Sequence, residues 1–142
     1  MYVFGRSTEI WSQRAYLKPS NPDLGDNFGI YLAMAADANT IAAAGLYEDG
    51  AASGIDVDQA DQTAPNAGAM YVFMGAIDAW SQRAYVKAPN TGKEDNLGSS
   101  IALSGDGLTL AVSAFHEDSA AVGISSDQNN DTAQNAGAVY LY

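Results

Sequence analysis

The chain has 142 residues, 17 acids against six bases, a formal net charge of -11, one histidine and no cysteine. That charge repels phosphate backbones and anionic membranes, so neither nucleic acid nor membrane insertion is expected. The lack of cysteine excludes disulfides, thiolate metal sites and cysteine nucleophiles. No run of about 18 apolar residues reads as a membrane span, and no basic-then-apolar leader marks a signal peptide at residue 1.

The predicted elements are strands throughout. Met1-Tyr2-Val3-Phe4 reads as strand-like, followed by a strand over Trp11–Lys18. Phe28, Ile30, Leu32 and Met34 then alternate with Gly29, Tyr31 and Ala33, a period of two rather than 3.6. The turn Asp37-Ala38-Asn39 leads to a strand over Thr40–Leu46, rich in alanine. A long polar loop, Glu48 to Asn66, precedes strands at Ala69–Phe73 and Trp80–Lys87. Next comes a stretch with Leu97, Ile101 and Leu103, the turn Ser104-Gly105-Asp106-Gly107 and a strand over Leu108–Phe115. A second polar loop, Glu117 to Asn135, and a strand over Ala138–Tyr142 complete the series. No window longer than about ten residues is an amphipathic helix. The fold class is all-β.

These elements repeat. A shift of 69 residues aligns the chain with itself without a gap, with 33 identities over residues 1–69. Met1-Tyr2-Val3-Phe4 falls on Met70-Tyr71-Val72-Phe73, and Trp11-Ser12-Gln13-Arg14-Ala15-Tyr16 on Trp80-Ser81-Gln82-Arg83-Ala84-Tyr85. Glu48-Asp49 meets Glu117-Asp118, and Asn66-Ala67-Gly68-Ala69 meets Asn135-Ala136-Gly137-Ala138. Two units therefore occupy 1–69 and 70–138, and 139–142 opens a third copy. Four short antiparallel strands per unit is the layout of a propeller blade, which needs neighbours on both faces. The small residues Ala42-Ala43-Ala44-Gly45 suit the crowded inner part of such a stack.

The motif set resembles the FG-GAP repeat, the blade of integrin alpha-subunit propellers and of bacterial surface proteins. Phe28-Gly29 carries the Phe-Gly pair, which becomes Leu97-Gly98 in the second unit. Ala44-Gly45-Leu46 and Ser113-Ala114-Phe115 stand where Gly-Ala-Pro is expected, so that part is degenerate. The Trp-Ser-Gln strand, the Ser-Gly-Asp turn, the Glu-Asp pair and the Asn-Ala-Gly-Ala strand are similar to the bacterial version. The resemblance implies two four-stranded antiparallel propeller blades, a secreted or cell-surface setting, and adhesion or ligand binding. Propellers hold roughly four to eight blades, so two are incomplete as a single chain. Further copies or flanking repeats are the expected partners, joined through edge strands.

Calcium is the candidate cofactor, because hard cations take six to eight oxygens from flexible acidic loops. The candidate ligands are Glu48, Asp49, Asp56, Asp58 and Asp61 in the first loop, and Glu117, Asp118 and Asp127 in the second. Ser125, Asn130 and Asp131 lie in the same neighbourhood. The integrin-type Asp-x-Asp-x-Asp-Gly loop is absent, and such acids also serve as turn formers. A second acidic cluster, Asp23, Asp26 and Asn27 with its counterpart Glu94, Asp95 and Asn96, is expected to tie down turns. His116 is Tyr47 in the first unit, which suits surface or packing roles better than catalysis. Trp11, Trp80, Tyr16 and Tyr85 offer either a carbohydrate-stacking platform or packing between blades.

The reading is a non-enzymatic extracellular module for assembly and adhesion, building a propeller ring or a head-to-tail filament from edge strands. The alternative is a calcium-ordered propeller that binds a glycan or protein ligand.

Overall fold

A computed structural model describes residues 1–76, 78–124 and 126–142. Nine strands and no helix occur among them: β1 Tyr2–Ser7, β2 Ile10–Tyr16, β3 Phe28–Met34, β4 Thr40–Gly45, β5 Ala69–Ala76, β6 Ala79–Val86, β7 Leu97–Leu103, β8 Leu110–Ala114 and β9 Ala138–Leu141. All pairings between them are antiparallel. They form a β1-β2 hairpin, a four-stranded sheet β3-β4-β5-β6 and a three-stranded sheet β7-β8-β9, an arrangement consistent with FG-GAP propeller blades.

The complete sheet spans residues 28–86 and so straddles the repeat junction at Met70. The 69-residue period survives in detail. The β1–β2 register shifts between Val3 and Phe4, and the β5–β6 register shifts between Val72 and Phe73, one period later. Bulges at equivalent places give the two ribbons the same local twist.

The central strands β4 and β5 of the middle sheet are covered on both faces, which explains their near-continuous apolar composition, while Ile30, Leu32 and Met34 of edge strand β3 stay about half exposed. One face presents Ile41, Ala69, Tyr71, Phe73 and Tyr85 and meets Met1, Val3, Ala15 and Leu17 of the hairpin region. Along the same strands the alternate residues Ala42, Ala44, Met70 and Val86 meet Leu97, Leu110, Val112 and Ala114 of the third sheet. Strand β4 is buried along its whole length, and β7 lies against β3, β4 and β5. Close approach there depends on Gly98, at φ +101°, where a Cβ would stand 2.7 Å from the Cβ of Ala44. The glycine of the Leu97-Gly98 pair is thus a packing requirement between sheets, whereas a Cβ at Gly29 would meet only Met1 Cβ at 3.9 Å.

Candidate functional site

The chemistry of this molecule is concentrated below the strand ends, where the long loops leave the sheets. Glu48 follows β4 directly and turns its carboxylate into the interior. Its Oε2 lies 2.7 Å from Lys87 Nζ, and both side chains are buried. The same oxygen accepts from Gly50 N at 3.1 Å, while Oε1 accepts from Tyr85 OH at 2.7 Å and Asn21 Nδ2 at 3.2 Å. Tyr71 OH donates to Asn21 Oδ1 at 2.8 Å, which extends the network across the sheet. Burial lowers the Lys87 ammonium's pKa, and the adjoining Glu48 opposes that shift. Burial also raises the Tyr85 and Tyr71 hydroxyls, with Glu48 adding to both effects. A buried charge pair of this kind is sustained by its hydrogen bonds.

Loop residues 54–56 continue the sheet beyond β6. Ile55 bridges to Val86, Asp56 N donates to Tyr85 O, and Lys87 N donates to Gly54 O. Asp56 Oδ1 also accepts from Tyr85 N at 3.0 Å. This clamp holds Tyr85 and Lys87 over Glu48.

The acids expected to gather around calcium are spread across separate turns. Asp49 Oδ1 accepts from Asn66 N, and Asp118 Oδ1 accepts from Asn135 N. Asp58, Asp61 and Asp127 accept from backbone N–H groups two residues ahead, at Ala60, Thr63 and Asn129. Glu48 faces a lysine, and Glu117 accepts from Asn90. Among the described residues no group of three or more His, Asp or Glu side chains is placed to hold a metal ion. That donor set does not fit a cation requiring six to eight oxygens. Ser125 lies outside the described residues.

The second acidic cluster does hold turns: Asp26 Oδ2 accepts from Asp23 N, and Asp95 Oδ2 accepts from Gly92 N. Burial pushes the Asp95 carboxyl up to about 6, and it raises Asp26 as well. His116 stacks near Phe115, and its Nδ1 lies 3.0 Å from Asn96 Oδ1. Of the aromatic set, Tyr85 is buried against Tyr71, whereas Trp11 and Tyr16 are exposed. Trp80 borders a hollow of about 450 Å³ with Asn39, Ser81 and Arg83, and its Nε1 has no partner among the described residues.

The reading of the sequence named Glu48 but missed Lys87, Tyr85 and Asn21 as its partners. The available signal was recurrence. Glu48, Lys87, Asn21 and Tyr85 all keep their identity under the 69-residue shift, as Glu117, Lys18, Asn90 and Tyr16.

The sheet pattern, the degenerate Phe-Gly pair and the repeated Asn-Ala-Gly-Ala strand agree with a family comparison. Residues 80–142 match the model of the FG-GAP repeat family. The FG-GAP segment covers nearly all of β6 and the whole of the third sheet. Internal identity extends the likeness back through the first unit. The family is a structural and binding module, not one known for catalysis, and its repeats occur typically in extracellular proteins. No helix among the described residues is long and apolar enough to cross a membrane. Comparison with curated proteins and with solved structures returned no match.

Proposed function

We propose that this FG-GAP chain is a non-enzymatic extracellular module for assembly and adhesion, which joins further blades through its open strand edges. The observation that carries this reading is the stacking of the middle sheet between two neighbours. Its central strands β4 and β5 meet the β1–β2 hairpin region on one face and the β7-β8-β9 sheet on the other. The open edges of β1 and β9 offer main-chain donors and acceptors, which proteins normally pair or shield. Multi-angle light scattering of the purified chain across a concentration series tests the proposal. Mass rising with concentration supports it, and a constant monomer mass removes it.

A second reading, binding of a glycan, draws on the hollow at Trp80. An indole beside Asn39, Ser81 and Arg83 combines a stacking face with polar groups. Tryptophan fluorescence during titration with a panel of mono- and oligosaccharides checks this, with the Trp80→Phe variant as control.

A further inference from the structure

The chain gathers a lysine, a carboxylate and a carboxamide into one hydrogen-bonded cluster. Lys87 Nζ lies 2.7 Å from Glu48 Oε2, and Asn21 Nδ2 lies 3.2 Å from Glu48 Oε1. An amine and an amide thus share the two oxygens of one carboxylate. Glu48, Lys87, Tyr71 and Tyr85 are fully buried, and the partly buried Asn21 closes the cluster toward solvent.

The amide of Asn21 is oriented for attack at its carbon. Its loop, between β2 and β3, docks on β6: Ser20 N donates to Gln82 Oε1 at 3.0 Å, and Gln82 Nε2 donates to Ser20 Oγ at 2.8 Å. Asn21 Oδ1 accepts from Tyr71 OH at 2.8 Å, while Nδ2 donates to Glu48 Oε1 and to Gln59 O at 3.3 Å. The phenol therefore polarises the carbonyl, and the carboxylate faces the nitrogen that would depart. Asn90 repeats this seat one period later. Its Nδ2 donates to Glu117 Oε1 at 2.8 Å and to Gln128 O at 2.7 Å, and its Oδ1 accepts from Tyr140 OH at 2.6 Å.

We propose that Lys87 and Asn21 join in an intramolecular isopeptide bond, with Glu48 as the proton carrier. Glu48 takes a proton from the Lys87 ammonium across their 2.7 Å contact. The freed amine adds to Asn21 Cγ, and Tyr71 OH donates to Oδ1 as negative charge gathers there. Glu48 passes two protons in turn from Nζ to Nδ2. The Cγ–Nδ2 bond breaks, and that nitrogen leaves as ammonium by the partly buried side of the cluster. The new Nζ–Cγ amide keeps one hydrogen, Glu48 ends as the carboxylate it began as, and nothing is oxidised or reduced. Burial lowers the Lys87 pKa, which favours the nucleophilic amine. Seating both groups on one carboxylate supplies the proximity that the step needs. The ion pair described above is the state before reaction. Its product ties the loop before β3 to the end of β6, from one repeat unit to the next, whether the chain binds further copies or a glycan.

Intact mass spectrometry of the 142-residue chain, incubated near neutral pH until its mass is constant, tests the proposal. The expected mass is that of the sequence less one ammonia, and fragmentation of a chymotryptic digest shows Asn21 joined to Lys87. Asn21→Ala, Lys87→Met and Glu48→Gln, each checked for folding by circular dichroism, are expected to keep their full sequence masses. Asn21→Asp is expected to lose one water instead, because an oxygen then departs in place of the nitrogen. A parent chain of full sequence mass overturns the proposal. Ammonia loss without a joined peptide pair also overturns it, since that marks a cyclised asparagine. Water loss from the parent chain does so too, since that marks an amide between Lys87 and Glu48. Asn21 is only partly buried, so its variants decide the matter even if those at Lys87 and Glu48 fail to fold.

Discussion

Glu48 and Lys87, 39 residues apart in the chain, meet at 2.7 Å with both side chains shut away from solvent. Neither charge is tolerable there alone. Removing one member of such a pair costs about 3–5 kcal/mol, whereas removing both costs far less. Lys87→Met is accordingly expected to lower stability by about that amount, and the Glu48→Gln/Lys87→Met double variant to regain at least half of the loss. Urea unfolding of the three proteins measures both values. A Lys87→Met variant within about 1 kcal/mol of the parent would contradict a buried pair.

Asp95 gives the chain an unusual pH response. Burial holds its folded-state value at about 6, above the ordinary 3.8. Between these values the folded state binds more protons than the unfolded chain, so stability falls as pH rises from about 4 to 6. Asp26 acts in the same direction. Asp95→Asn is expected to flatten that slope and to raise stability at pH 7 by on the order of 2 kcal/mol. Thermal melts at half-unit pH steps check the sign.

Two glycines of similar backbone conformation separate conformational strain from crowding. Gly25, at φ +97°, has open space where a Cβ would lie, while at Gly98, φ +101°, the Cβ would collide with Ala44. Gly25→Ala is expected to cost about 1 kcal/mol, from the left-handed backbone alone. Gly98→Ala is expected to cost about 2–4 kcal/mol, because the contact between sheets must also open. Equal losses in chemical denaturation would argue against the close approach of β7 to β4.

Calcium is expected to leave the melting temperature unchanged up to millimolar concentration. The carboxylates of Asp49, Asp58, Asp61, Asp118 and Asp127 are engaged with separate backbone N–H groups, and Glu48 is engaged with Lys87. Differential scanning calorimetry with and without chelator reads this directly. A rise of several degrees would show that the loops rearrange around the ion.

Much of the fold was legible because period-two alternation and the 69-residue shift both report strands directly. Residues such as Phe28, Leu32 and Thr40 fell into strands for that reason. The grouping of strands into sheets was not legible. Identity between copies has no natural origin, so counting from Met1 divides β3-β4 from β5-β6, whereas hydrogen bonding joins Gly45 to Ala69. The site was half legible. Glu48 stood out as an acid at a loop entrance, but acids there look alike whether they meet a cation, an N–H group or a lysine. Only the fold brings Lys87 across from the next strand pair. Asp26 and Asp95 were readable as turn formers because their acceptors lie within three residues.

The all-small strand β4 has a geometric consequence. Between the middle and third sheets, Ala42 and Ala44 fill the layer on one strand, while Met70 and Val86 fill it on the next two. Side-chain volume in this layer rises from β4 to β6, and the close approach of Gly98 to Ala44 lies at β4, so the packing of this interface follows a wedge. Wedges added in series turn about their thin side, and the difference in side-chain volume between alanine and methionine or valine sets the angle per step. Replacing Ala44 by a larger residue would therefore alter the curvature of the whole series as well as one contact.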